Sequence, residues 1–175
     1  MTRIELIRGD IAGVAADAIV NAANSSLVGG GGVDGAIHRA GGPAVMADLV
    51  RRYGPGRSCP PGSAVVSAAG RLPARIDVHA VGPIWQGGQA GEPQLLASAY
   101  RTALTLAASE GCRTVALPSI STGVYGYPVD DAARLAMATI ADWVRARPDA
   151  FDTITFVLFP AETLAAFERA RDLVR

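Results

Sequence analysis

A glycine-rich stretch near the amino terminus carries the residue types that point most directly to chemistry. It reads NAANSSLVGGGGVDG over residues 21–35, follows a short β-like run and contains four consecutive glycines. Glycine adopts positive φ angles and lets a ligand approach bare N–H groups, and successive N–H groups form an anion-binding concavity. A helical pattern opens at Asp34, and the positive end of that helix favours the same anion. The stretch therefore predicts a loop that holds a phosphorylated ligand, with Asp34 facing the group attached to it.

A second loop of the same kind follows an apolar run at residues 114–117. It reads PSISTGVYGYP over residues 118–128 and offers hydroxyl groups together with Gly123 and Gly126. Ligands on open α/β sheets bind outside the carboxyl ends of the strands, and both loops begin at predicted strand ends. We therefore expect the two loops to converge on one crevice and to hold the same anion from opposite sides. The alternative is a pair of ordinary turn-rich loops made of small residues.

The glycine spacing also satisfies the G-x-G-x-x-G pattern of dinucleotide-binding folds, through Gly30, Gly32 and Gly35. Two observations disfavour that interpretation. Residues 21–28 separate the glycines from the preceding strand, and residues 54–62 lack the acidic residue expected about 20 positions further on. A phosphate-binding loop survives both objections because it requires neither feature.

Other catalytic groups are poorly represented. The sequence contains no lysine, which excludes Schiff-base catalysis and the P-loop lysine. It has no G-x-S-x-G or H-E-x-x-H motif, and we predict no metal site. We expect His79, in an apolar strand, to be a core residue, and His38 to orient the helix after the glycines rather than to catalyse. Cys59 and Cys112 lie far apart, without a ligand-type spacing, and are expected to be structural.

The composition favours one compact domain over residues 1–175. Half of the residues are hydrophobic, and 16 basic residues balance 16 acidic ones. No long basic block stands out, which disfavours nucleic acid as the main partner. The chain has no apolar run of the roughly 18 residues that a membrane span requires, and it opens with no signal pattern. We expect a reduced, cytoplasmic and monomeric protein with no membrane partner.

Hydrophobic periodicity predicts strands that alternate with helices, which is typical of a three-layer α/β/α domain with a mostly parallel sheet. We expect the second strand to end at the glycine-rich stretch, Asp130 to be the N-cap of a helix, and the last strand to include Phe159. The predicted strands cover residues 3–8, 18–20, 64–68, 76–81, 114–117 and 153–159. The predicted helices begin near residues 34, 43, 93, 130 and 162.

Taken together, the motifs resemble those of the macrodomains, and the resemblance spans essentially the whole chain. More narrowly, they are similar to the MacroD-type branch, whose members bind ADP-ribose and hydrolyse ADP-ribosyl esters. The resemblance implies a macrodomain fold with a mixed, mostly parallel sheet, and no cofactor. One departure is the stretch HRAGG, which has glycine where many members have a second alanine. The matching stretches are GDI at 9–11, NAAN at 21–24, GGGGVDGAIHRAGG at 29–42, VGPIW at 81–85, PSISTGVYGYP at 118–128 and VLF at 157–159.

The resemblance also implies which residues would hold the adenosine and the diphosphate of ADP-ribose. Asp10 would accept a hydrogen bond from the adenine amino group, Ile11 would supply a backbone contact, and Phe159 would lie against the adenine. Backbone amides of the two loops would hold the diphosphate. The residues implied there are Gly30, Gly31, Gly32 and Val33 in the first loop and Ser121, Thr122, Gly123, Val124 and Tyr125 in the second.

At the far sugar, the resemblance implies a catalytic set of Asn24, Asp34 and Tyr125. Asn24 would form a hydrogen bond to the distal ribose, and Asp34 would lie beside that ribose and a water molecule. Tyr125 would cover the distal ribose. The leaving group of an ester is a carboxylate whose conjugate acid has a pKa of roughly 4, so it departs without a strong general acid. One carboxylate that activates water then suffices, whereas most glycosidases need two.

The expected reaction is hydrolysis of O-acetyl-ADP-ribose and of aspartate or glutamate side chains that carry mono-ADP-ribose on proteins. Two alternatives stay open. One is a non-catalytic module that binds ADP-ribose without turning it over, and the other is a phosphatase that acts on ADP-ribose 1''-phosphate. A carboxylate beside the distal ribose favours the hydrolase, because a binding module has no need of one.

Overall fold

The computed structural model describes residues 1–174, and their strands and helices alternate along most of the chain. A short 3-10 turn at Ile11–Gly13 lies between the first two strands. The strands are β1 (Arg3–Arg8), β2 (Ala18–Ala23), β3 (Ala64–Ala68), β4 (Ile76–Val81), β5 (Thr114–Leu117) and β6 (Thr153–Leu158). The helices are α1 (Gly32–Gly41), α2 (Pro43–Tyr53), α3 (Glu92–Ser109), α4 (Val129–Ala146) and α5 (Ala161–Leu173).

The six strands form one sheet in the order β1-β6-β5-β2-β4-β3. All neighbouring pairs are parallel except β3 and β4, which are antiparallel. This mixed, mostly parallel sheet confirms the predicted fold class, with β1 at one edge as its alternating pattern indicates. Because the parallel strands share one direction, the carboxyl ends of β1, β2, β4, β5 and β6 lie along the same edge of the sheet.

Helices cover both faces of the sheet, so that alternate residues of β2 enter different apolar cores. Ala18 and Val20 pack in the larger core with α3, α4 and α5, whereas Ile19 packs with Ile37 of α1 on the opposite face. Aromatic contacts tie the larger core together, with 4.9 Å between the ring centroids of Phe156 and Phe167. Strands that are buried on both faces are characteristic of sheets enclosed by helices.

Several element boundaries differ from the sequence predictions. β2 continues to Ala23 instead of ending at Val20, because residues 21–23 pair in register with His79, Ala80 and Val81 of β4. The helix predicted from Asp34 begins two residues earlier, at Gly32. Asp130 is not an N-cap: Pro128 occupies that position, and Asp130 lies in the first turn of α4.

Several other residues lie where the sequence predicts them, with one exception. His79 is fully buried in β4, which confirms a core position, and Pro43 opens α2. Cys59 and Cys112 are both buried and unpaired. Phe159, by contrast, follows the last residue of β6 and is exposed. None of the helices within residues 1–174 is long and apolar enough to cross a membrane.

Glu92 opens α3 and fixes the loop that leads into it from β4. Its carboxylate accepts hydrogen bonds from the backbone N–H groups of Gln86, Gly88 and Ala90, at 2.8, 2.8 and 2.7 Å. Burial alone would raise the pKa of this carboxyl, but the N–H donors outweigh it and lower the pKa to about 2. The ionised form is therefore the one that holds the loop.

Replacing Glu92 by glutamine is expected to lower the free energy of unfolding in a pH-dependent way. A carboxyl whose folded pKa is depressed stabilises the fold above its unfolded pKa, near 4.5, and loses that contribution as the pH falls through about 2. Urea unfolding of the protein and of Glu92→Gln should therefore differ more at pH 7 than at pH 3. Glu162→Gln, at an exposed glutamate in the first turn of α5, is the matched control. An equal difference at both pH values would contradict this assignment.

Candidate functional site

The two loops predicted from the sequence do meet, in a cleft at the carboxyl ends of β2 and β5. One part of the cleft, which we call the asparagine chamber, has a volume of about 200 Å³. Asn24 and Asp34 line it from the first loop, and Tyr125 lines it from the second. The expectation of a single crevice is therefore confirmed. The remaining lining residues are Ala22, Ala23, Gly30, Gly31, Gly32, Val33, Gly82, Ser119, Ile120, Ser121, Gly123 and Val124.

A second part of the cleft, the phenylalanine chamber, has a volume of about 420 Å³. It is lined by Asp10, Ile11 and Phe159, the three residues expected at an adenine, together with apolar residues of β6 and α1. Four residues line both chambers, so the cleft is continuous: Gly32, Val33, Ser119 and Gly123. Together the chambers fall within the range of about 300 to 1,000 Å³ that is typical of ligand pockets.

The junction of the two chambers is built from backbone at the start of α1. The N-cap Gly31 makes no side-chain hydrogen bond to the first turn, and Gly32 has a φ of +57°. The first N–H groups of a helix have no partner inside the helix, and they favour an anion. The junction is therefore suited to bind a phosphate group of a ligand that has one part in each chamber.

Gly35 shows why the first loop needs glycine beyond its N–H groups. A Cβ atom on Gly35 would lie only 2.5 Å from the carbonyl oxygen of Gly30, so the loop folds back directly against the first turn of α1. This contact places Gly30 between two side chains. A Cβ atom on Gly30 would lie 3.3 Å from Oδ2 of Asp34 and 3.7 Å from Nδ2 of Asn24. The structure thus brings the predicted carboxylate and amide to the same spot.

Asp34 is buried, and two side chains hold one of its oxygens. Asn21 of β2 donates from Nδ2 to Oδ1 of Asp34 at 2.8 Å, and His38 Nε2 lies 3.3 Å from the same oxygen. Tyr125 stands nearby: burial and then the Asp34 carboxylate raise the pKa of its hydroxyl. The second carboxylate oxygen of Asp34, Oδ2, is directed toward Gly30 and the asparagine chamber.

Asn21 is the residue that sequence reasoning missed. It was treated as the first residue of a loop, but it is a fully buried strand residue whose side chain faces α1. The sequence did contain a signal for this position. Side chains two residues apart in a strand lie on the same face, so Asn21 would share the buried face of Ile19 if the strand continued. His38, predicted to orient α1, contacts Asp34 one turn away on the same helix.

Asn24 is half-buried and already holds its own loop. Its Nδ2 donates to the carbonyl of Gly29 at 3.0 Å, and its Oδ1 accepts from the N–H of Val28 at 3.3 Å. The second amide proton of Nδ2 is the donor left for a ligand. Asp10 likewise has a local role, because its Oδ1 accepts from the N–H of Ala12 at 2.9 Å, which leaves Oδ2 for an adenine.

The hydroxyl groups of the second loop are engaged within the protein. Ser121 has a φ of +68°, and its Oγ donates to the carbonyl of Pro83 at 2.7 Å. Thr122 donates to Oγ of Ser119 at 2.8 Å. These hydroxyls are therefore engaged inside the protein, and the backbone N–H groups of the loop stay the predicted donors to a diphosphate. Trp85 reinforces the loop from outside, because its backbone N–H donates to the backbone carbonyl of Tyr125 at 2.8 Å.

Comparisons with known proteins show which chains this one is similar to. The chain is 52% identical over 170 residues to an O-acetyl-ADP-ribose deacetylase of Citrobacter rodentium, and the match covers 96% of this chain and 94% of that protein. A solved Oceanobacillus iheyensis macrodomain with ADP has a TM-score of 0.89 and 37% identity, with 98% of this chain and 90% of that chain covered.

A Trypanosoma brucei macrodomain in complex with ADP-ribose has a TM-score of 0.86 and 37% identity, with 95% of this chain and 68% of that chain covered. The sequence model of the Macro domain matches residues 20–136, which include most of β2, the glycine-rich loop and the second loop. With this match, with a relative at 52% identity over nearly its whole length and with the shared fold, the chain belongs to the macrodomain family.

Proposed function

We propose that this protein is a hydrolase that binds ADP-ribose and releases it from ADP-ribosyl esters, which include O-acetyl-ADP-ribose and mono-ADP-ribosylated aspartate and glutamate on proteins. The observation that carries the proposal is the order of groups along the cleft. An aromatic ring and a carboxylate lie at one end, backbone N–H groups at the junction, and Asp34 with Asn24 at the other end. This order matches an adenine, a diphosphate and a distal ribose.

The comparisons support the chemical class of the ligand. The Citrobacter rodentium relative is named for deacetylation of O-acetyl-ADP-ribose, and solved relatives hold ADP and ADP-ribose. In a continuous cleft of this kind, the adenosine and the distal ribose of such a ligand would occupy the two chambers, and its diphosphate would cross at Gly32 and Gly123, two of the four residues that line both. Residues 1–175 are proposed to form one such domain and to act as a monomer.

In the proposed reaction, Asp34 accepts a proton from a water molecule as that water adds to the carbon that carries the ester. The ester C–O bond breaks, and the carboxylate leaves with the bonding electrons as ADP-ribose forms. The leaving carboxylate needs no strong acid, which agrees with a chamber that has a single carboxylate among its lining residues. Asn24 and Tyr125 hold the ribose so that water and carbon meet in line, an effect of orientation.

Replacing Asp34 is expected to abolish turnover while retaining the ligand. Asp34→Ala should lower kcat for O-acetyl-ADP-ribose by about 100-fold or more, the usual contribution of a general base. Calorimetry should show an ADP-ribose affinity within a few-fold of that of the unaltered protein. Asn24→Ala should lower both kcat and affinity, because Asn24 also holds the loop at Gly29. Unchanged turnover by Asp34→Ala would overturn the assignment of the general base.

The phenylalanine chamber predicts a separate effect on binding. Phe159→Ala should weaken the affinity for both ADP and ADP-ribose by about 10-fold, because stacking on an aromatic ring contributes roughly 1–3 kcal/mol per base. kcat at saturating ester should stay unchanged. Leu173→Ala is the matched control, since Leu173 is equally exposed (72%) and lies at the far end of α5. A fall in kcat, or no change in affinity, would remove Phe159 from the adenine site.

One panel of substrates distinguishes the proposed hydrolase from its two rivals. The protein is incubated in parallel with O-acetyl-ADP-ribose, a glutamate-linked ADP-ribosylated protein and ADP-ribose 1''-phosphate, and the release of acetate, ADP-ribose and phosphate is measured. We expect release from both esters and far slower release of phosphate. Tight binding of ADP-ribose without any release would identify a binding module, and preferred release of phosphate would identify a phosphatase.

A further inference from the structure

A series of buried polar side chains runs from Asp34 into the sheet, and most of these side chains have no role in the proposed reaction. Asn21 donates to Asp34, and the Nδ2 of the same amide lies 3.1 Å from Nδ1 of His79. The other ring nitrogen of His79, Nε2, lies 2.8 Å from Oγ of Ser67. We call Asn21, His79 and Ser67 the polar chain. All three residues are fully buried, on β2, β4 and β3 respectively.

The protons of the polar chain can be assigned from one end to the other. Ser67 Oγ donates to the carbonyl of Ala68 at 2.9 Å, so it must accept from Nε2–H of His79. A neutral imidazole with its proton on Nε2 presents Nδ1 as an acceptor, which takes one amide proton of Asn21. The other amide proton of Asn21 goes to Asp34. Each N–H or O–H proton of the polar chain thus has an acceptor.

The charge states agree with this assignment. Burial, and then the neighbouring His38, lower the pKa of His79 to about 3 against the opposite effect of Asp34, so the ring is neutral in ordinary buffers. Asp77 lies beside the chain, with Oδ2 3.4 Å from Nε2 of His79. Burial and then Asp34 raise the pKa of Asp77 well above its usual range, which disfavours a second negative charge beneath Asp34.

A purely structural role explains these residues poorly. The alternate residues of β4, Val78 and Ala80, fill the opposite face with apolar atoms, whereas a buried polar group has a free-energy cost unless it is hydrogen-bonded. The reversed orientation of the Asn21 amide would turn Oδ1 toward the carboxylate of Asp34, and oxygen would then face oxygen. Oδ1 of Asp34 and the acceptor at Nδ1 of His79 exclude that orientation together, because both face the same atom of the Asn21 amide.

We propose that His79 is a positioning residue for ester hydrolysis: its unprotonated Nδ1 orients the amide of Asn21 so that Asn21 donates to Oδ1 of Asp34 and leaves Oδ2 to the water. Ser67 fixes the tautomer of His79. This inference rests on the proposed function, since it assigns the support of the same general base. His79 contacts no substrate and acts through Asn21.

Two isosteric substitutions separate the positioning role from simple packing. In His79→Asn the side-chain oxygen takes the place of Nδ1 and can still accept from Asn21, whereas His79→Gln extends toward Ser67 and provides no acceptor at the Nδ1 position. We expect His79→Gln to lower kcat for O-acetyl-ADP-ribose by about 10-fold and His79→Asn to stay within about threefold. The ADP-ribose affinity, measured by calorimetry, should stay within threefold for both.

Thr2→Val controls for loss of stability alone. Thr2 is buried at the amino end of β1, away from the cleft edge, and its hydroxyl donates to the carbonyl of Phe151 at 2.8 Å. Its thermal midpoint should fall while kcat is retained. Equal kcat in His79→Gln and His79→Asn, or loss of kcat and affinity together in step with the thermal midpoint, would overturn the positioning role. An unaltered protein that releases no ADP-ribose would instead remove the proposed function, and the inference with it.

A spectroscopic measurement tests the polar chain without any assay of activity. The sequence contains two histidines, so two-bond proton–nitrogen correlations of the ¹⁵N-labelled protein are simple to assign with the aid of His79→Asn. We expect His79 to be the neutral Nε2–H tautomer from pH 5 to pH 8. An Nδ1–H tautomer, or an imidazolium within that range, would overturn the inference even if His79→Gln failed to fold.

Discussion

The cleft depends on the contact between the carbonyl of Gly30 and the α-carbon of Gly35. Residue 35 has no space for a Cβ atom, because the glycine-rich loop lies directly against the first turn of α1. This close approach lies at the point where Asn24 and Asp34 both come near Gly30. The spacing that resembled a dinucleotide-binding motif has a different physical origin, because Gly35 is needed for the backbone of the loop rather than for a helix that packs on a strand.

The second loop is held by its neighbours as well as by hydrogen bonds of its own. Its Ser121 donates to Pro83, its Tyr125 accepts from Trp85, and a Cβ atom on Gly82 would lie 2.2 Å from Oγ of Ser121. The loop that carries Trp85 is in turn fixed by Glu92. The wall of the asparagine chamber that follows β5 is therefore also anchored to the segment after β4, which lies beside β2 in the sheet.

Much of this fold could be predicted from the sequence. The bounds of β3, β4 and β5 agree with the predictions because apolar, β-branched runs end at clear turn residues. β2 was predicted too short because Asn21 is polar, although the ladder to His79 holds it in the strand. The convergence of the loops followed from the parallel sheet. The Asn21–Asp34 bond could not be predicted, since it joins a strand to a helix through an orientation that no local pattern encodes.

The two ends of the cleft differ in how deeply they are built into the protein. Phe159 lies outside β6 with 72% of its surface exposed, so its replacement disturbs few packed neighbours. Asp34 rests on side chains that are themselves core residues of three adjacent strands. Substitutions at the Phe159 end can therefore alter the shape of the cleft at little expense in foldability. The Asp34 end can change only together with the interior of the sheet, so a mutation there is expected to act on stability as well as on the site.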